Sequence, residues 1–119
     1  MSRTVWVLGD QLNRRIGALA LASDEEKPLC GVVDSVNGYA YFATSGIYAS
    51  EIVKVALGEG ESLSTRVGSV TLEYNETSPH AAVIDTLHGY AYFATSGVSS
   101  AKIVKVALGE GNAPPTRIG

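Results

Sequence analysis

The chain has 119 residues, 45% of them apolar and 18% charged, the balance of an ordinary globular domain and not of a disordered tail. Its formal net charge is -3 and its nine lysines and arginines are scattered, so no basic patch exists to neutralise phosphates and nucleic acid is not an expected partner. A single cysteine, Cys30, excludes an internal disulfide and reads as a small hydrophobe, and no apolar run approaches the roughly 20 residues that span a bilayer.

At the N-terminus, Arg3-Thr4-Val5-Trp6-Val7-Leu8 predicts a short strand from its β-branched and aromatic content. After it, Asp10 can N-cap a helix in which Leu12, Ile16 and Leu19 fall at i, i+4 and i+7 on one face, with Pro28 beyond its end. Gly17 costs that helix about 1 kcal/mol, so it requires packing to persist. Arg14-Arg15 followed by Ile16 to Ala22 imitates a signal peptide, but the apolar run is only seven residues and Asp10 precedes it. The expected compartment is therefore the cytoplasm, and Asn75-Glu76-Thr77 is expected to be an unmodified loop despite its glycosylation pattern.

From residue 30 onward, short segments rich in Val, Ile, Tyr, Phe and Thr alternate with turn residues, the pattern of strands and hairpins. Strands are expected at about 31–36, 39–45, 51–57 and 66–74, then at about 81–87, 90–96 and 102–108, with a stub at Thr116-Arg117-Ile118-Gly119. Asn37-Gly38 and His88-Gly89 mark tight turns, and Gly58-Glu59-Gly60 and Gly109-Glu110-Gly111 break the chain after the third strand of each set. At an offset of 51, residues 32–68 superpose on 83–119 with 23 identities in 37 positions, so the two sets are copies of one unit. Both faces of the strand at about 39–45 are largely apolar, which calls for cover on both sides.

The Val-Val/Ile-Asp, Gly-Tyr-Ala-Tyr-Phe-Ala-Thr, Ile-Val-Lys-Val-Ala-Leu and Thr-Arg-Val/Ile-Gly segments resemble the YVTN-like β-propeller repeats of bacterial surface proteins. The resemblance covers about residues 30–119 and implies four-stranded blades arrayed around an axis, without a shared catalytic site. Thr4-Val5-Trp6-Val7-Leu8-Gly9-Asp10-Gln11-Leu12-Asn13 looks instead like the opening strand and loop of the photolyase-related, cryptochrome-like flavoproteins. That likeness stops near residue 24, too short to carry flavin or photochemistry. The chain is thus read as an N-terminal fragment (1–29), a first blade (30–80) and a second, truncated blade (81–119).

Catalytic groupings are not evident. Asp34 and Asp85 stand before equivalent turns and read as turn caps. Gly58-x-Gly60 and Gly109-x-Gly111 lack the lysine and helix of a nucleotide loop, and Ser45 and Ser96 lack a nucleophile context. His80 and His88 read as loop and turn residues and not as metal ligands, and Tyr39, Tyr41, Tyr90 and Tyr92 as blade packing. The expected fold is all-β: two four-stranded propeller blades, the second truncated, completed by oligomerisation, with a short N-terminal strand and helix. The expected function is a non-enzymatic structural module without cofactor or metal, assembling with itself into a cyclic trimer or tetramer. The alternative is a module binding a glycan, peptide or small molecule at the ring face or channel. Val5, Trp6 and Val7 are expected to pair with the edge of the last full strand, at Val104 and Val106, of a neighbouring copy.

Overall fold

The computed structural model describes residues 14–45, 49–96 and 100–119, and every regular element among them is a strand. In chain order these are β1 (Pro28–Asp34), β2 (Tyr39–Thr44), β3 (Glu51–Ala56), β4 (Thr65–Thr71), β5 (Pro79–Asp85), β6 (Tyr90–Thr95), β7 (Lys102–Ala107) and β8 (Thr116–Arg117). They form two antiparallel sheets in sequential order, β1-β2-β3-β4 and β5-β6-β7-β8, an arrangement consistent with two propeller-like blades. Strands end where the repeat places glycine. Gly38 and Gly89 sit at φ of 83° and 82°, and Gly58 and Gly109 at 80° and 76°, left-handed values that only glycine reaches without strain.

Register repeats with the sequence. Tyr41 lies opposite Lys54 and Ala43 opposite Ile52 in the first sheet, as Tyr92 lies opposite Lys105 and Ala94 opposite Ile103 in the second. A bulge at Lys54/Val55 separates the two halves of the β3–β4 ladder. The second sheet pairs Val106 with Arg117 and Ala107 with Thr116. Backbone bonds between Lys105 and both Ile118 and Gly119 carry that ladder one residue further.

The core lies between the sheets. Tyr41, Ala43 and Ile52 of the first sheet meet Ala91, Phe93, Val104 and Val106 of the second, closed off by Leu72 and Leu108. Each sheet contributes a different face, because side chains alternate along a strand: the Tyr-Tyr-Ala face of β2 packs on the Ala-Phe face of β6. Identical residues therefore meet opposite fates. Ile52 is fully buried while its repeat mate Ile103 is 67% exposed, and Phe93 is fully buried while Phe42 is 37% exposed.

The predicted N-terminal helix is not formed among the described residues. Residues 14–22 hold no regular structure, Ile16 and Gly17 are exposed, and Leu19 is only half-buried. Without a surface to receive its apolar stripe, a helix of two to three turns does not recover its nucleation cost, and Gly17 adds to that cost. Asp10 and Leu12, the remaining residues of that expectation, lie outside the described residues, as do Val5, Trp6 and Val7.

Candidate functional site

The densest polar constellation joins the two sheets. Lys54 extends from β3 across the packed face, and its ammonium donates to the carbonyls of Leu108 (3.0 Å), Gly109 (3.4 Å), Gly111 (2.7 Å) and Ala113 (2.8 Å). Lys54 is itself fully buried. Its charge also stands 4.4 Å from the Tyr39 ring centre and 5.8 Å from that of Tyr41, so two aromatic faces share in solvating it. Burial pushes the Lys54 pKa down, opposed by the nearby Asp34 carboxylate. Tyr39 donates to Asn112 at 2.9 Å, and Tyr41 to the Leu108 carbonyl at 3.4 Å. The Tyr41 phenol is pushed up to about 12 by burial, then by Asp34 and Tyr39. The carbonyl ring exists because Gly109 and Gly111, both at positive φ, curl the loop back on itself, with Ala113 N–H bonded to Glu110 O at 3.0 Å.

Both halves of this junction are present a second time, unmated. Lys105, the repeat mate of Lys54, stands 4.1 Å from the Tyr90 ring centre and 5.9 Å from that of Tyr92, yet it is only half-buried and no loop caps its ammonium among the described residues. The loop after β3 repeats the loop after β7: Gly58 and Gly60 take φ of 80° and 56° against 76° and 52° for Gly109 and Gly111. Ser62 N–H bonds to Glu59 O at 2.9 Å in the same turn. A cavity of about 230 Å³ opens there, lined by Leu57, Gly60, Ser62 and Leu63 together with Ile16 and Gly17.

A second repeated device clamps the linkers. Arg66 of β4 holds the buried Glu25 carboxylate with Nε at 2.9 and 3.1 Å and with Nη2, and Arg117 of β8 holds Glu76 with Nε at 2.8 Å and with Nη2. The guanidinium bonds hold both carboxyls below their ordinary range, against the opposing effect of burial. Beside the first clamp, Asp24, Glu25 and Glu51 bring carboxylate oxygens within 4.8 Å of one another. Burial, then Asp24 and Glu25, pushes the Glu51 carboxyl up. The repeat puts Asn75, Glu76 and Lys102 at the matching positions, so the acidic grouping belongs to one sheet alone.

The turn residues stand where the pattern placed them. Asp34 accepts from Asn37 N–H at 3.2 Å and from Asn37 Nδ2 at 2.8 Å, while Asp85 accepts from His88 N–H at 3.2 Å and lies 2.7 Å from His88 Nδ1. The His88 bond lowers the Asp85 pKa. These turns border a cleft of about 530 Å³ between the sheets, lined by Asp34, Asn37, Tyr39, His88, Tyr90 and the Gly109–Gly111 loop. Cys30 is half-buried, and its thiol donates to Pro79 O at 3.6 Å. Val104 and Val106 are buried in the core between the sheets; Val106 is paired with Arg117 of β8, so only the backbone edge of Val104 is without a partner among the described residues.

Sequence reasoning passed over Lys54, Lys105 and the Glu–Arg clamps. Their signal was present: all recur at the 51-residue offset, and a lysine kept in the middle of an apolar strand in both copies has a job beyond solubility. Comparison with known families, with curated proteins and with solved structures finds no match to this chain.

Proposed function

We propose that this protein is a non-enzymatic structural module whose two sheets are propeller blades and whose partner is a second copy of itself. The observation that carries this reading is the Lys54 junction, which occurs once complete and twice in halves. The second sheet presents Tyr90, Tyr92, Ile103 and Lys105 on a face equivalent to the one the first sheet buries. The Leu57–Ser62 loop offers the backbone shape that receives Lys54 in the Leu108–Ala113 loop. Docking Lys105 of one copy into that loop of the next repeats a contact the chain already makes. Such a contact is heterologous: it closes into a ring when the rotation per step divides a full turn and otherwise grows into a filament. With two blades per chain and roughly 4–8 blades in a propeller, three or four copies are the leading solutions.

The test is native mass spectrometry of the protein and of Lys105→Glu. A trimer or tetramer that Lys105→Glu dissociates is the expected result, since the variant would set a carboxylate against a ring of carbonyl oxygens. A folded monomer at tens of micromolar overturns the reading. A second reading, a binding module for a glycan or other small polar ligand, draws on the inter-sheet cleft with its tyrosine rings and Asp34. Calorimetric titration of the assembled protein with simple oligosaccharides separates the two.

A further inference from the structure

We propose that residues Ala18–Leu21 of one copy pair with the Lys102–Val104 edge of β7 in the second sheet of another. This rests on the self-assembly reading above and specifies the interface it requires. Three observations converge on it.

The first is a third, partial copy of the repeat. At the same offset of 51, Arg15, Gly17, Leu21, Glu25 and Pro28 fall on Arg66, Gly68, Leu72, Glu76 and Pro79, so residues 14–21 correspond to β4 together with Leu72. The structure repeats the correspondence in space. A Cβ on Gly17 would collide with Leu63, as one on Gly68 would meet Pro114 at 3.1 Å, and Leu63 and Pro114 are themselves repeat mates. The turns after these segments are also the same. Glu25 N–H bonds Ala22 O at 2.9 Å and Ala22 N–H bonds Glu25 Oε1 at 2.9 Å, against 2.8 and 2.9 Å for the Glu76 and Glu73 pair. Residues 14–21 therefore lie beside the first sheet as β4 lies beside the second.

The second observation is the open edge it would fill. In the first sheet β4 covers β3 along its whole length, with Ser69 opposite Val53, Val70 opposite Ile52 and Thr71 opposite Glu51. In the second sheet the ladder reaches Lys105, and Lys102, Ile103 and Val104 have no partner on that side among the described residues. Transferring the register sets Ala18 opposite Val104, Leu19 opposite Ile103 and Ala20 opposite Lys102. Leu19 then covers Ile103, which is 67% exposed, and Leu21 takes the place that Leu72 fills in the core.

The third observation is that both contacts belong to one interface. The copy whose Leu57–Ser62 loop caps Lys105 is also the copy whose residues 14–21 lie beside that loop. Arg14–Gly17 and Thr116–Gly119 are equivalent and compete for one place on the β7 edge. Thr116–Gly119 holds it through the ladder and the Arg117–Glu76 clamp. Arg14–Gly17 is exposed and kept only by the Leu63 contact and a solvent-screened ion pair with Glu61, so it gives way.

Disulfide trapping tests the register. In a Cys30→Ser background, Ala20→Cys and Lys102→Cys are made on separate chains and mixed under mild oxidation. Directly opposed strand residues have the Cβ spacing a disulfide requires. The expected result is a covalent heterodimer comprising up to about half of the protein, the share of heterologous contacts in a 1:1 mixture that place the two cysteines together, with Arg14→Cys in place of Ala20→Cys giving at least tenfold less. An intact oligomer in native mass spectrometry without the Ala20–Lys102 cross-link overturns the strand proposal and leaves the self-assembly reading standing. A monomer overturns both.

Discussion

Lys54 and Lys105 occupy the same position in equivalent strands, β3 and β7, and they differ in what lies opposite. A buried ammonium is tolerated when its hydrogen-bonding capacity is filled and neighbouring dipoles replace water, as the four carbonyls and two tyrosine rings do for Lys54. Lys54→Met keeps the stem volume but removes the ammonium donor from the Gly109, Gly111 and Ala113 carbonyls, leaving the Tyr41 hydroxyl on that of Leu108, and losing hydrogen bonds to a charged donor costs about 1–3 kcal/mol. Urea unfolding should show a loss of that size. In the dissociated chain Lys105→Met should change stability by less than about 0.5 kcal/mol, since Lys105 is only half-buried and no carbonyl loop caps its ammonium among the described residues. Equal losses for the two variants would mean that the loop contact stabilises nothing.

At the scale of elements, the Glu–Arg clamps fasten each linker to the fourth strand of the sheet it enters, which is how a two-residue β8 is held at all. Glu25 and Glu76 have folded-state pKa values below the ordinary 4.5, their guanidinium partners being the largest cause. A depressed carboxyl contributes stability that is fully present above about pH 4.5 and is lost as pH falls through the folded value. Glu51, with its pKa raised by burial, has the opposite sign: its unfavourable charge is relieved as pH falls through the raised value. Urea midpoints should therefore drop below pH 4.5, and in Glu25→Gln/Glu76→Gln the drop should flatten from a lower starting stability. An acid limb as steep as that of the parent would assign the loss to other groups. The ladders themselves were legible along the chain, because Gly-bounded segments of β-branched and aromatic residues have few other solutions. The helix expected after Asp10, with Leu12, Ile16 and Leu19 on one face, does not run through residues 14–22, because a stripe at i, i+4, i+7 describes a helix only when something receives it.

For the whole molecule, the unequal use of two equal repeats is the central fact. Each sheet has two apolar faces, and one contact can satisfy only one face of each, so Tyr92 and Ile103 remain at one end and Phe42 at the other. If copies cover these faces, the folded state is coupled to association and the midpoint of thermal unfolding depends on protein concentration. A hundredfold dilution should lower it by several degrees. A concentration-independent midpoint, together with a monomeric mass, would mean that the exposed faces are stable as they are.

Taken alone, the sequence determines the strand content, the two-copy organisation, the four-strand unit, the left-handed glycines and the turn-capping aspartates, because each rests on local conformational preference or on identity at a fixed offset. Tertiary structure alone decides which face of each sheet is buried. It likewise seats Lys54 among the carbonyls of a loop more than 50 residues away and leaves Lys105 uncapped, and it sets Gly17 against Leu63 in a segment without regular structure. The physical reason is common to all three: identical segments carry identical local preferences, and only what packs against them breaks the equivalence.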